Sequence, residues 1–462
     1  MSQPADLLAR QREAFLARPY PTYAERRDAL KRLRLTVRKH ADALAQAADA
    51  DFSCRAPHET LMLDVVPLFS HIDHLLGGLK RWMKPSRRKV DRLFFGNRAY
   101  VTYQPKGVVG VISPWNFPIY LALGPIATAL AAGNRVMLKT SEYAPAVSTA
   151  LKTLLAECFG EDEVCVVEGG PDVARAFSAL PFDHMIFTGS PEIGRHVMRA
   201  AAGNLTPVTL ELGGKSPAIV SRTADIAVAA RRIAHGKTAN AGQVCVAPDY
   251  ALVPEEQAEA FAEQALKAFD KFASGGTTAL IHPGAFERQQ ALVEDARAKG
   301  ARVLTSATAV DGRRMALQVV LGVTDDMRLA QEEIFGPILP VFTYTAFEAV
   351  VARVNAGTRP LALYYFGYDA AERDTLLKRT HSGGVAFNDW GWQVAQHDLP
   401  FGGTGTSGMG NYHGAEGFRE LSHARSVYDQ HRLFPIELFH PPFGGTQPFL
   451  LWLITGHAGG RK

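Results

Sequence analysis

The stretch GVVGVISPWNFPIYLALGPIATALAAGNRVMLK, residues 107–139, decides the fold. It opens on a short β-branched run, GVVGVI (107–112), passes through a proline-bracketed turn into helix-compatible sequence from Ile119 to Ala132, and closes on a second apolar run, RVMLK (135–139). Strand, helix and strand in that order form a βαβ unit, and continuous apolar runs suit a parallel sheet covered on both faces. The alternation continues downstream. EVCVV (163–167), HMIFTG (184–189) and TLEL (209–212) read as further strands, with helices over 144–158, 172–179 and 192–202 between them. Right-handed crossovers then give a doubly wound sheet.

From residue 212 to 408 the pattern repeats, with an Ala-rich helix before Cys245 and strands at YALVP (250–254) and ILPVFTY (338–344). This predicts a second α/β domain after a first formed by residues 1–91 and 106–211. Two pieces fit neither. RLFFGNRAYVTYQP (92–105) reads as a hairpin turning at Gly96-Asn97, and with the tail over 425–462 it is expected to form an arm reaching a neighbouring subunit. The tail's FLLWLI (449–454) is far shorter than the roughly 20 residues of a membrane span and suits packing against a partner, so a homodimer without membrane contact is expected.

A chain of 462 residues accommodates two domains, and a formal charge of +4 spread over mixed signs argues against a nucleic-acid binder. The densest basic run, Arg26, Arg27, Lys31, Arg32, Arg34, Arg38 and Lys39, reads as the solvated face of a helix that starts at Thr22, with Glu25 completing a capping box. The amino terminus carries charges throughout and lacks the apolar core of a secretory signal, which predicts a cytoplasmic location. Cys54, Cys158, Cys165 and Cys245 are widely spaced, with no C-x-x-C pair and no zinc-type spacing, so neither disulfides nor a metal are expected.

None of these strands is followed by a G-x-G-x-x-G turn, the usual dinucleotide fingerprint. FTGSPEIG (187–194) takes its place: Gly189 ends a strand, Ser190 is a good N-cap, Pro191 suits the first helical position, and Gly194 permits close approach. Such a helix start binds anions, although the same residues make a plain strand-to-helix turn. In LKTSE (138–142), Lys139 and Glu142 leave the carboxyl end of a strand, where ligands of open sheets collect and where a lysine and a carboxylate can hold ribose hydroxyls. NAGQVCVAPDY (240–250) sets Cys245 in a loop, whereas Cys158 and Cys165 sit in or beside apolar elements. Position alone leaves open whether Cys245 is a nucleophile or a buried filler. SPWNFP (113–118) holds the Asn116 amide in a rigid turn, where it can donate to a developing oxyanion, and LELGGKSP (210–217) ends a strand at Glu211 beside two glycines, a candidate base for water.

PWNFP, LKTSE, FTGSPEIG, LELGGKSP, NAGQVCVAPDY, QEEIFGP (331–337) and LPFGGTGTSGMG (399–410), in this order, resemble the NAD(P)-dependent aldehyde dehydrogenase superfamily over most of the chain. APDY after the cysteine and GNYHG (410–414) are similar to its class 3 branch, within the group containing coniferyl aldehyde dehydrogenase. The resemblance implies a Rossmann-type cofactor domain, a catalytic domain and an oligomerisation arm, with NAD as cofactor, NADP as an accepted alternative and a small aldehyde as substrate. It makes Cys245 the nucleophile, Asn116 with the Cys245 N–H the oxyanion hole, and Glu211 the base that hydrolyses a thioester. Lys139 and Glu142 would hold the adenosine ribose, Gly189 and Ser190 the pyrophosphate with Gly194 behind them, Gly213 the nicotinamide side, and Glu333 the nicotinamide ribose with Phe335 beside the ring. Thr140 departs from the K-P-S-E of much of the superfamily. His413 in the Gly-rich loop is read as structural. A CoA-acylating enzyme would have little use for Glu211, and a non-catalytic protein on this scaffold would have no reason to combine Cys245, Asn116 and Glu211.

Overall fold

The computed structural model describes residues 3–442, 445 and 447–456. These residues divide into two compact units, one running up to Trp82 and over Gln104–His423, the other comprising Met83–Tyr103 and the described residues from Ala424 onward.

The larger unit holds two sheets. In the first, the strands Val208–Leu212, His184–Gly189, Val108–Ile112, Arg135–Lys139 and Val164–Val167 lie side by side in that order and all run parallel. The reversal of strand order about Val108–Ile112 is the doubly wound arrangement that the βαβ alternation dictates. A short sixth strand, Gly408–Met409, pairs antiparallel with Leu210 and Glu211. Every residue of Val108–Ile112 is buried, as expected of a strand with helices on both sides. The crossover helix Tyr120–Ala132 is buried along its whole length and stops at Gly133, whose φ of +89° is left-handed.

The second sheet has seven strands, in the order Arg302–Thr305, Gln318–Leu321, Ile338–Tyr344, Tyr250–Pro254, Pro217–Val220, Ala362–Phe366 and Gly384–Phe387. Only the first pairing is antiparallel. Its core is lined by Ala218, Val220, Ala251, Val253 and Tyr364 against Ile233 and Phe261 of the covering helices. The α/β class and the strands read from sequence are thus those of the folded chain, with ends differing by a residue or so.

The helix Tyr23–Phe52 starts with the capping box: the Thr22 hydroxyl accepts from the Glu25 N–H (3.4 Å) and the Glu25 carboxylate from the Thr22 N–H (2.7 Å). Its basic run is not wholly a solvated face. Arg26 is buried, donating to the carbonyls of Pro21, Ala131 and Ala132, and burial pulls its pKa down to about 10. A guanidinium long enough to cap the carbonyl end of a neighbouring helix is drawn inward by those unsatisfied groups.

The smaller unit corrects the hairpin. Residues 92–94 form a 3-10 turn, and the strand Arg98–Pro105 pairs with Ser86–Arg88, upstream of the expected partner, and with Ser422–Asp429. Phe94 leaves the strand role because its ring stacks on Phe434 and Phe439 (5.8 and 5.5 Å). The tail forms a helix, Gln447–Thr455, on which Phe449, Leu451, Trp452, Leu453 and Ile454 are exposed. No helix among the described residues is long and apolar enough to cross a membrane.

Candidate active site

Because the strands of the first sheet are parallel, their carboxyl ends deliver several turns to one edge. Ile112 lies opposite Lys139 and Phe187, and Thr188 opposite Glu211, so the turns carrying Asn116, Lys139, Gly189 and Glu211 leave the sheet together. A cleft of about 510 Å³ opens there, and Asn116, Gly189, Ser190, Glu211, Gly213, Cys245, Glu333 and Phe335 line it. Lys139, Glu142 and Gly194 are not among its walls. Lys139 is buried, donates to the Thr140 carbonyl (2.6 Å) and stands 3.7 Å from the half-exposed Glu142 carboxylate. A Cβ on Gly194 would come within 2.8 Å of the Leu212 side chain, so this glycine lets the helix Pro191–Ala202 sit close on its sheet.

Cys245 is partly exposed in a loop of unusual backbone. Asn240, Ala241 and Gly242 are all left-handed, with φ of 47°, 53° and 71°. For Asn240 and Ala241 this is strained, and it persists only where surrounding contacts over-determine it. They do. The Asn240 side chain donates to the carbonyls of Asn116 and Gln243 (both 3.0 Å), and its N–H donates to Glu59 (2.7 Å). Gln243 donates to the carbonyls of Asn240 and Ala279 and accepts from the Ile281 N–H (3.0 Å). A side chain on Gly242 would meet the Gly336 carbonyl at 2.5 Å.

Asn116 is buried and held from both sides. Its carbonyl accepts from Arg55 (3.1 Å), while Nδ2 donates to the Gln243 carbonyl (3.2 Å), two residues from the thiol. Nδ2 carries two hydrogens, and this bond uses one. Arg55 is itself fully buried beside Asp64 (3.5 Å), whose carboxylate accepts from the Tyr120 N–H (2.7 Å) at the start of the crossover helix.

Glu211 is 3 % exposed, neither carboxylate oxygen has a hydrogen-bond partner, and burial pushes its pKa well above the usual range. The Gly-rich segment after Phe401 backs it: Gly408 pairs with Glu211 in the sheet, and a Cβ on Gly402 would lie 3.2 Å from Oε1. Burial, then the carboxylates of Glu333 and Glu211, raise the Cys245 thiol to about 12. Glu333 lies against Gly213, where any side chain would overlap its carboxylate. Phe335, left-handed at φ 50°, turns its ring edge-on to Trp115 at 5.5 Å.

A model of the family described as "Aldehyde dehydrogenase family" matches residues 6–427. The chain belongs to the aldehyde dehydrogenase family. This aldehyde dehydrogenase is 50 % identical over 453 residues to the "Probable coniferyl aldehyde dehydrogenase" of Pseudomonas aeruginosa, covering 97 % of this chain and 95 % of that protein. Among solved structures, the substrate-bound state of Staphylococcus aureus AldH superposes with a TM-score of 0.93 at 31 % identity, over 98 % of this chain and 100 % of the other. The Mycobacterium tuberculosis aldehyde dehydrogenase complexed with NAD+ does so with a TM-score of 0.84 at 28 % identity, over 92 % and 90 %.

Sequence reasoning passed over the residues that position the site in this aldehyde dehydrogenase. Lys215 donates to Asp249 (2.5 Å) and to the carbonyls of Leu329 and Glu332, while Asp249 accepts from the Ile334 N–H (2.7 Å), fastening the Glu333 loop to the Glu211 turn. Lys215, Asp249, Asn240 and Gln243 all lie inside the quoted motifs, where their polarity beside apolar neighbours was the available signal. Arg55 lies in no such motif, and its partner Asn116 is 61 residues away.

Proposed function

We propose that this enzyme oxidises an aromatic aldehyde of the coniferyl type to its carboxylic acid with NAD(P)+, through a thioester on Cys245. The observation that carries the reading is the convergence of Cys245, Asn116, Glu211 and Glu333 on one cleft at the carboxyl edge of a parallel sheet. The substrate class draws on the 50 % identity to the P. aeruginosa relative.

The residues present fit a nicotinamide dinucleotide. Ser190 caps the helix that follows it, leaving a helix amino terminus aimed at the cleft for a pyrophosphate, and Gly213 leaves the Glu333 carboxylate room to meet a ribose. Lys139 and Glu142 would hold the second ribose at the neighbouring strand end. When bound, the oxidised nicotinamide ring supplies the two-electron acceptor.

The chain supplies the rest. A thiol raised to about 12 is protonated at neutral pH, so attack on the aldehyde carbon must be coupled to loss of its proton. That proton passes to solvent, which leaves Glu211 free to act as a base in the later step. As sulfur bonds to carbon, the carbonyl oxygen gains charge, and the second Nδ2 hydrogen of Asn116 with the Cys245 N–H meets it. After oxidation, Glu211 accepts a proton from water as the water oxygen attacks the thioester, and the acid leaves with the Cys245 thiol restored. We read residues 1–91 and 106–211 as the cofactor domain, 212–408 as the catalytic domain, and 92–105 with the tail from 425 as an arm of a cytoplasmic homodimer, the dimer on the strength of the exposed apolar helix Gln447–Thr455.

A panel of aromatic and aliphatic aldehydes, assayed by nicotinamide absorbance with NAD+ or NADP+, with and without CoA, tests this. Turnover without CoA and a kcat/KM highest for cinnamyl-type aldehydes is expected. Strict dependence on CoA, or no turnover of any aldehyde, would overturn the reading.

A further inference from the structure

Behind the Glu211 side of the sheet, three histidines from distant parts of the chain meet in the interior. His71, His397 and His413 are all buried, and one ring nitrogen of each lies within 4.8 Å of the other two. The ring centroids are 5.1 Å apart for His71 with His397, 5.1 Å for His71 with His413 and 5.4 Å for His397 with His413. Spacing along the chain could not display this, since residues 71, 397 and 413 come from a helix and two loops.

The outer contacts decide which nitrogens face inward. The Thr128 hydroxyl donates to the Tyr412 carbonyl (2.9 Å), so it accepts from His71 Nε2–H (2.9 Å), which leaves His71 Nδ1 with a bare lone pair. His413 Nε2 is joined to the Tyr120 hydroxyl (2.9 Å), and its Nδ1 has no partner. Neither ring nitrogen of His397 has a hydrogen-bond partner. The His71 and His413 rings are thus anchored on one side by an oxygen, the pattern by which proteins orient histidines that bind metal through the other nitrogen. Gly414, at φ +58°, lets the His397 backbone pass close to the His413 turn: a Cβ there would meet the His397 carbonyl at 2.7 Å. His74 stands 3.4 Å from Asp398, which is 77 % exposed.

We propose that His71, His397 and His413 form an internal binding site for one divalent transition-metal ion of the zinc class, separate from the thiol cleft. Three imidazoles and an open fourth position suit Zn²⁺ or Co²⁺. Nitrogens on a tetrahedral ion lie about 3.4 Å apart, so the present cluster closes with side-chain shifts of about 1 Å.

The test uses full-length protein stripped of metal by chelation, both wild type and Cys245→Ala, so that the thiol cannot account for binding. With ZnCl2 as probe, we expect one Zn²⁺ per chain retained through gel filtration in both proteins, and a raised unfolding midpoint. His397→Gln and His413→Asn should each weaken binding by roughly 100-fold or more, beyond the 10- to 100-fold typical of losing an outer contact. CoCl2 should give the visible bands of a four-coordinate, nitrogen-rich ion in the wild type, which decides the matter if the variants do not fold. Failure to retain Zn²⁺, unchanged affinity in both histidine variants, loss of binding in Cys245→Ala, or a six-coordinate Co²⁺ spectrum would overturn the proposal.

Discussion

Glu333→Gln should flatten the dependence of stability on pH. Burial first, and the Asp249 carboxylate second, raise Glu333 to about 7 from an ordinary 4.5, against the Gly214 N–H, Lys215 and Arg288. A carboxyl raised on folding keeps its proton better in the native chain, so its contribution is intact below about pH 4.5 and is lost as pH rises through about 7. At about 1.4 kcal/mol per pKa unit the whole loss is about 3 kcal/mol, of which about 2.5 kcal/mol develops between about pH 5 and 8.5. An unfolding entropy of about 2 cal/mol/K per residue makes 1 kcal/mol worth about 1 °C in Tm for a chain of this length. Between those pH values the wild type should therefore lose about 2 to 3 °C more than E333Q, measured by calorimetry in cofactor-free buffer at one scan rate. The same ionisation should appear in function: KM for the cofactor should fall as pH rises through about 7 in the wild type and stay level in the variant. Melting curves that shift in parallel to within about 1 °C would refute a half-buried, perturbed carboxylate beside Gly213.

Glu211→Gln keeps the shape and removes the base, so the variant should release up to one equivalent of reduced cofactor per site and then stall as an acyl-enzyme visible by intact mass; unimpaired steady-state turnover would remove Glu211 from the mechanism. Asn116→Ala should slow acylation by about 100-fold or more in rapid-mixing traces, the scale of losing one oxyanion donor, and traces matching the wild type would show that the amide does not reach the developing charge.

The strands and helices of the first sheet were legible because each segment's own apolar pattern matches the environment in which it is buried. Val108–Ile112 is apolar on both faces and covered on both. What escaped was set by partners far along the chain. Ser86–Arg88 is polar and becomes a strand only because Arg98–Pro105 pairs with it, and Arg26 turns inward for carbonyls 105 and 106 residues away. In the cleft, the groups proposed to do chemistry sat in recognisable turns, whereas Arg55, Glu59 and Ala279, which fix those turns, act through backbone groups that leave no sequence pattern.

The strained loop before Cys245 bears on how the protein is made. Its clamps come from Arg55 and Glu59 upstream, through Asn116, and from the carbonyl of Ala279 and the N–H of Ile281 downstream. During synthesis the thiol emerges well before Ile281, and long-range contacts of this kind form late because loop closure must precede them. A nascent chain therefore carries an ordinary, undirected thiol. The convergence of donor, base and sulfur arises only when segments spanning more than two hundred residues have closed on the loop, which makes the competence of Cys245 a mark of completed folding.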